Sequence, residues 1–508
     1  MLGFLKILYN TGVMQNGPTS VTSSISSVSS ISSGSQDLPA VDYSRKWWVL
    51  ASVASGSFLA TIDGSIVNIT LPVLEREMAA GFALVEWVAL AYLLTVGTLM
   101  LMAGRLADIM GKKSLYISGF IVFTIGSALC GLSQNIGMLI AFRVFQALGA
   151  VMLAALGTAI ITEAFPPQER GMALGIGGLM VSIGLISGPS IGGLILGVAS
   201  WRWIFFVNLP IGIIGTMMVW TFVPAHRPGV KESFDFLGAA IMFCGLLALL
   251  LGLTLGQYLG YAHPYVVGLF AGFFIALLLF VQIEKRVTHP MIDLTIFKNS
   301  LFSVNLITGF ITFVSVAGVT LLMPFYLQNI LDYPPSQAGL LLAVFPLGMG
   351  LIAPLAGWLS DRWGTRRLTT IGLFLLFFGY LGASTLNESS TVQDYVLRFL
   401  PLGIGMGVFQ SPNNSAIMGT VSRQRLGVAS GLLSLTRTVG QTIGIALIGA
   451  VWAGLVQSHL QVQGFADVTN APPFIQVIAL QQVLVSVSLL IGSAFIMSLW
   501  ALWKEKRK

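Results

Sequence analysis

Asp63 is the residue whose type and position point most directly to chemistry. Between Trp47 and Leu71 it is the single charged side chain, and it reads as the one carboxylate deep in an apolar helix. A charge at that depth costs at least about 2.5 kcal/mol. Desolvation favours the neutral acid, whereas a neighbouring cation favours the carboxylate. Such a group can therefore exchange a proton in response to what lies beside it, which is the chemistry of an ion-coupled exchanger. Arg143 stands about two turns inside another apolar run, where an unpaired guanidinium could not remain. Its candidate partner is Asp63. The plainer alternatives are a permanent structural pair or a rim arginine snorkelling to headgroups. Arg437, mid-way along a later apolar run, has no carboxylate partner evident in the sequence; it could hold backbone carbonyls or attract an anionic ligand.

The elements that must hold these groups are helices in lipid. The chain has 508 residues, 55% hydrophobic and 9% charged, and a mean hydropathy of +0.87, too apolar for a water-soluble fold. Apolar helices are predicted near 47–71, 84–103, 114–133, 136–160, 172–197, 203–223, 236–256, 263–283, 301–330, 337–359, 368–386, 396–419, 427–453 and 481–503. Each is near the roughly 20 residues that cross a bilayer. The uncharged run 236–283 would span about two bilayer cores as one helix, so it must fold back at Gly256, Gly260 and Pro264. The ninth helix is long enough to kink at Pro324. An even number of crossings puts both termini on one side. Arg45, Lys46, Arg105, Lys112, Lys113, Arg362, Arg366, Arg367 and Lys504 fall on that side, while Arg76, Arg202 and Arg398 fall opposite. The positive-inside rule makes the shared side cytoplasmic, and the membrane expected is the plasma (inner) membrane. A pI near 9.4 then reflects these loops rather than nucleic-acid binding. Residues 1–44 are polar with a Ser-rich stretch from Val21 to Ser35 and read as a disordered cytoplasmic tail. Cys130 and Cys244 lie in apolar runs and read as free buried thiols.

The chain repeats itself. Gly104, Leu106, Asp108, Gly111, Lys113 and Leu115 recur 253 positions later as Gly357, Leu359, Asp361, Gly364, Arg366 and Leu368. Eight helices separate the copies. The implied architecture is an all-α integral membrane fold: a six-helix bundle over 45–225, an inserted two-helix hairpin with linkers over 226–299, and a second six-helix bundle over 300–508. Parallel halves of this kind enclose a site near the membrane midplane and rock to give alternating access. Asp108 and Asp361 read as loop residues just before a helix start, able to cap backbone N–H groups or pair with nearby Arg and Lys. Gly188, Pro189, Gly192 and Gly193 place small residues and a helix-bending proline together, a close-packing motif.

Together, GRLADIMGKK, RVFQALGA from Arg143, GLISGPSIGG from Gly184, IDGSIVNITLP, FPPQERG, WRWIFFVNLP and GVASGLLSLTRTVG resemble the major facilitator superfamily. With fourteen spans they look like its drug:proton antiporter-2 family of EmrB/QacA type. Ser65 and Thr70 stand where similar motifs carry Thr and Ala, and Ile109 where a basic residue is common. The resemblance implies proton-coupled export of small amphipathic compounds, with Asp63, Arg143, Asn68, Gln146 and Arg437 in coupling or substrate binding. It implies a conformational latch from Gly104, Asp108, Gly111, Lys113, Asp361 and Arg366, and an outer seal from Gly188 to Gly193. No cofactor or metal is expected, and Gly111-Lys112 lacks the ending of a phosphate-binding loop. His226, His263, His289 and His459 are scattered, unlike an enzyme centre. A monomer is expected. The external 454–480 segment is open to contact with a periplasmic adaptor, a disordered loop being the plainer alternative. An importer on the same fold, an exporter of one metabolite, or a sensor built on a dead transporter remain the competing classes.

Overall fold

The computed structural model describes residues 45–166, 169–224, 236–287, 297–420, 426–460 and 468–505. The expectation for the 1–44 tail lies outside them. The helices are α1 (Lys46–Met78), α2 (Phe82–Met110), α3 (Lys112–Gly131), α4 (Ile136–Ala164), α5 (Arg170–Val198), α6 (Trp203–Phe206), α7 (Asn208–Phe222), α8 (Phe236–Leu259), α9 (Pro264–Glu284), α10 (Ser300–Phe325), α11 (Pro335–Leu342), α12 (Val344–Trp363), α13 (Thr365–Ala383), α14 (Val392–Gly419), α15 (Leu426–Leu460) and α16 (Pro473–Glu505). Twelve segments among the described residues are long and apolar enough to cross a bilayer by themselves, with α6–α7 and α11–α12 each acting as one broken span. α13 and α14 are less apolar: α13 opens on Thr365, Arg366 and Arg367, and α14 carries Asp394, Arg398, Asn413 and Asn414. Both still have crossing length and pack on each other, with α13 also against α16 and α14 against α12. Large apolar side chains stand bare around the outside, Leu351 at 74% and Trp220 at 69% exposure. Only lipid makes such a surface stable.

Local chemistry explains where the helices break. The 236–283 run folds back where Gly260 takes a φ of 83° and Pro264 opens α9 behind a His263 cap. Pro324 removes a backbone donor, and the turn after it, Tyr326–Ile330, is wound as a π-helix. Gly111 and Gly364, the repeated loop glycines, have φ of 85° and 88°, a region that residues with a Cβ avoid. That strain-free reversal ends α2 and α12. Asp108 and Asp361 therefore lie in the last turns of those helices, not in the loops where the spacing placed them. The caps of α3 and α13 are Gly111 and Gly364, without a side-chain hydrogen bond.

The repeat continues into packing. Gly119 of α3 and Gly372 of α13, again 253 positions apart, each admit a facing helix: a Cβ at Gly119 would lie 2.9 Å from Met152 Cβ, and one at Gly372 would lie 2.6 Å from Phe409 N. The hairpin α8–α9 sits on a seam. α8 touches α2 and α15; Trp87 Nε1 donates to Thr254 Oγ1 at 2.9 Å and Gln457 Nε2 donates to the Gln257 carbonyl at 3.3 Å. α9 lies outside, with Phe274 and Leu278 bare. Cys130 is buried and Cys244, on α8, is exposed, so the expectation of two buried thiols fails at Cys244: its helix turns that face outward from the bundle.

Gly372→Ala is expected to lower the thermal midpoint of the detergent-purified protein. Overpacking costs about 1–3 kcal/mol, more than the helix gains in propensity from alanine, about 1 kcal/mol. Gly382→Ala, which meets nothing within 4 Å, should leave the midpoint unchanged or raise it.

Candidate functional site

Asp63 is fully buried on α1 and Arg143, on α4, is 1% exposed. Arg143 Nη1 donates to Asp63 Oδ2 at 2.6 Å, so the rim-arginine alternative is excluded by position. Two further donors reach the other carboxylate oxygen: Gln146 Nε2 at 2.8 Å and Asn208 Nδ2 at 2.8 Å. Arg143 is itself held from several sides. Its Nη1 also donates to Gln146 Oε1 at 2.8 Å, its Nε donates to the Val88 carbonyl at 3.1 Å, and its guanidinium lies 4.2 Å from the centre of the Tyr92 ring. Asn208 Nδ2 also donates to Ser127 Oγ at 3.0 Å. Four elements, α1, α2, α4 and α7, thus converge on one carboxylate. A carboxylate accepting charge-assisted bonds in a dry interior is strongly bound, and each bond depends on the others.

Asn208 was within a motif the sequence singles out, WRWIFFVNLP, yet nothing local marks it as a partner of a residue 145 positions away. Asn68, on α1, is partly exposed and stays apart from this cluster. Arg437, on α15, is exposed and makes no hydrogen bond or ion pair among the described residues. The neighbouring faces of α15 are occupied: Thr438 lies against Gly97 of α2, and Gly440 and Gly444 lie against Phe310, Phe313 and Val314 of α10. Leu435 and Val439 face the hairpin. Helical spacing then turns Arg437 and Gln441 away from the hairpin, toward the space between the halves.

Glu86 overturns the expectation that Asp63 is the one deep carboxylate. It lies one turn into α2 and is 1% exposed. In the sequence its place at the start of an apolar run resembles a rim position; neighbours from α8, α10 and α15 bury it.

The motif residues fall into two groups. On the side away from the termini, Gly188 and Gly192 receive Ser65, Ile66 and Ile69 of α1, while Gly193 abuts Pro335 and Gly339 of α11. Gly339 in turn abuts the Pro189 carbonyl. The motif therefore joins α5 both to its own half and to the other. Gln328 Nε2 donates to the Ile69 carbonyl at 2.9 Å, and Thr469 donates to Glu75, tying the halves at the same end. Phe82 packs on Phe325 and Trp452, with ring centres 5.1 and 5.0 Å apart. Val468 and Thr469 are buried; this part of the 454–480 segment is a short helical turn packed on the protein, not a disordered loop. On the terminal side, Lys113 Nζ donates to the Trp220 carbonyl at 2.7 Å, Lys112 pairs with Glu163, and Arg366 donates to Asn305 Oδ1 at 3.4 Å. The side chains of Gly104's neighbours Arg105 and Asp108, and of Asp361, lie outside the described residues. No group of three His, Cys, Asp or Glu that could hold a metal ion occurs among the described residues.

The model of the Major Facilitator Superfamily matches residues 53–237 and 235–445. The riboflavin transporter RibZ of Clostridioides difficile is 37% identical over 430 residues, 84% of this chain and 92% of that protein. The multidrug resistance protein Stp of Mycobacterium tuberculosis is 32% identical over 414 residues, 81% of this chain and 77% of that one. Among solved structures, a bacterial homolog of the human lysosomal transporter Spinster, inward-facing and unoccupied, aligns with a TM-score of 0.64 at 16% identity, covering 90% of this chain and 97% of that one. A POT family transporter in complex with 5-aminolevulinic acid aligns with a TM-score of 0.64 at 14% identity, covering 87% and 95%. These two share the fold.

Asp63→Leu, which strands the Arg143 charge, is expected to destabilise the protein by about 3–5 kcal/mol. The double replacement Asp63→Leu with Arg143→Leu should recover most of that loss. Denaturant unfolding of the purified variants in detergent measures both.

Proposed function

The chain belongs to the Major Facilitator Superfamily, and from that premise we propose that this membrane transporter exports small amphipathic compounds in exchange for protons. It is a transport protein, not an enzyme. The observation that carries the proposal is Asp63: a carboxylate sealed from water, whose charge is answered by one guanidinium. A proton can replace that guanidinium as the answer to the charge, and the replacement frees Arg143 to change partners. The drug:proton antiporter-2 branch is the assignment supported by the fourteen-span pattern together with the motifs of α1, α4 and α5. Multidrug resistance proteins among the relatives agree with it.

The basic residues on the terminal side support a reading in which that side faces the cytoplasm and the protein sits in the plasma membrane. The contacts at Gly193, Gln328 and Thr469 then close the external end, and the state is one open toward the cytoplasm. Cargo enters from the cytoplasm in this state. External protons reach Asp63 after the halves rock, and the exchange of proton for cargo drives export.

Cargo charge follows from what the halves leave free. Asp63 is neutralised by Arg143, whereas Arg437 stands exposed without a partner among the described residues. The enclosed space therefore favours neutral or anionic amphiphiles over dications. A second reading, transport of one flavin-like metabolite, is supported by the similarity to RibZ and by the same free guanidinium.

In proteoliposomes with an imposed proton gradient, Asp63→Asn is expected to abolish substrate-driven proton flux while leaving substrate binding measurable; unchanged flux removes Asp63 from the mechanism. Arg437→Ala should weaken binding of an anionic amphiphile about tenfold, or about 1.4 kcal/mol, with little effect on a neutral one. A panel of fluorescent amphiphiles and riboflavin, tested in an efflux-deficient host with and without an uncoupler, separates the two readings. Extrusion of many compounds supports export of amphiphiles, and movement of riboflavin alone supports the second.

A further inference from the structure

Glu86 is a carboxyl group with no mechanism assigned to it. Its two oxygens are buried and neither has a hydrogen-bond partner. The groups that enclose it come from three directions. From α15, Gly449 lies so close that a Cβ there would overlap Glu86 Oε1, and Leu321 of α10 closes the same corner. From α8, Gln257 faces it, with an Nε2 that is itself buried and without a partner. Tyr261, in the turn between α8 and α9, is the other titratable group in electrostatic reach. No lysine, arginine or histidine pairs with Glu86 among the described residues. Asp63 has a guanidinium and two amides on its carboxylate; Glu86 has no cation, and the Gln257 amide is the one donor near it.

A carboxylate without a cation, and with no more than one loosely placed amide beside it, is not stable in such a box, while the neutral acid is. In this structure the box is part of the closure between the halves at the end away from the termini. Its walls are α2 from one half, α10 and α15 from the other, and the inserted hairpin. Rocking that parts α2 from α15 would bring Glu86 to water on that side, where it could ionise.

We propose that Glu86 is a second proton-binding site, separate from Asp63, whose protonation holds the external end of the seam shut and whose ionisation accompanies its opening. The proton comes from external water as the seam closes and returns to external water as it opens, so nothing crosses the membrane through this site. The seam becomes a sensor of external pH: acid outside favours the cytoplasm-open state, and rising pH favours the external-open one. The inference rests on the alternation of faces described above but not on proton coupling at Asp63. Gly449 has a reason to be glycine in this arrangement, and the hairpin has a role as the third wall.

The test is a distance measurement between nitroxides on Val198→Cys and Leu340→Cys, across the external end, in the full chain with Cys244→Ser, reconstituted without substrate. In the otherwise native protein, the ratio of long to short distances is expected to rise with pH, by up to about tenfold per unit for one linked proton. Glu86→Gln, which keeps the shape and cannot ionise, should hold the short distance at every pH. Asp63→Asn should retain the titration, so failure of coupling at Asp63 and failure at Glu86 read out separately. A Glu86→Gln protein that titrates like the native one overturns the proposal, as does a native protein whose distance ignores pH. Should Glu86→Gln not fold, Glu86→Asp draws the acid back from Gly449 and is expected to move the midpoint; an unmoved midpoint overturns the proposal equally.

Discussion

A charge in a dry interior needs an answering charge, and the bond between Asp63 and Arg143 is the constraint around which the first half of this protein is built. Neither residue could stay where it is without the other. Satisfying both requires α1 and α4 to lie side by side, α2 to offer the Val88 carbonyl and the Tyr92 ring, and α7 to bring Asn208. Four helices are thereby fixed in relation to one another by a handful of polar atoms.

Around that centre the packing is made of small residues. Gly188, Gly192 and Gly193 let α5 meet α1 and α11 at backbone distance, and Gly119 and Gly372 do the same within each half. In lipid there is little hydrophobic drive between helices, so close approach and a few hydrogen bonds decide which faces meet. The contacts across the halves gather toward one end, at Gln328, Thr469 and Phe82. Halves joined firmly at one end are what a rocking transporter needs in one of its two states. The hairpin, which by its position in the chain is an insertion between bundles, lies against α2 and α15 and so covers the edge of the seam.

Much of this was legible in the residues. Span lengths follow from bilayer thickness, and the reversal at Gly260 and Pro264 follows from a run too long to cross once. The repeat around Gly111 and Gly364 marks equivalent corners of the two halves. Asp108 and Asp361 were misplaced because glycine, not the carboxylate, ends each helix: the chain stays helical until a residue without a Cβ permits the turn. Asn208 and Glu86 were not legible as site residues for a different reason. Each owes its environment to helices far away in the chain, and a pattern along one helix does not report what another lays against it. Arg437 shows the reverse, since a guanidinium without a partner in the sequence also has none among the described residues, and that isolation is what recommends it as a ligand contact.

The central claim is that cargo and proton compete for the state of one acid group. The most direct measurement is proton release by the purified protein in weakly buffered detergent, followed with a pH indicator as a transported compound is added. Release of up to one proton per compound bound, absent when Asp63 is replaced by Asn, is the result the account predicts. Tight binding with no proton released at any pH would contradict it.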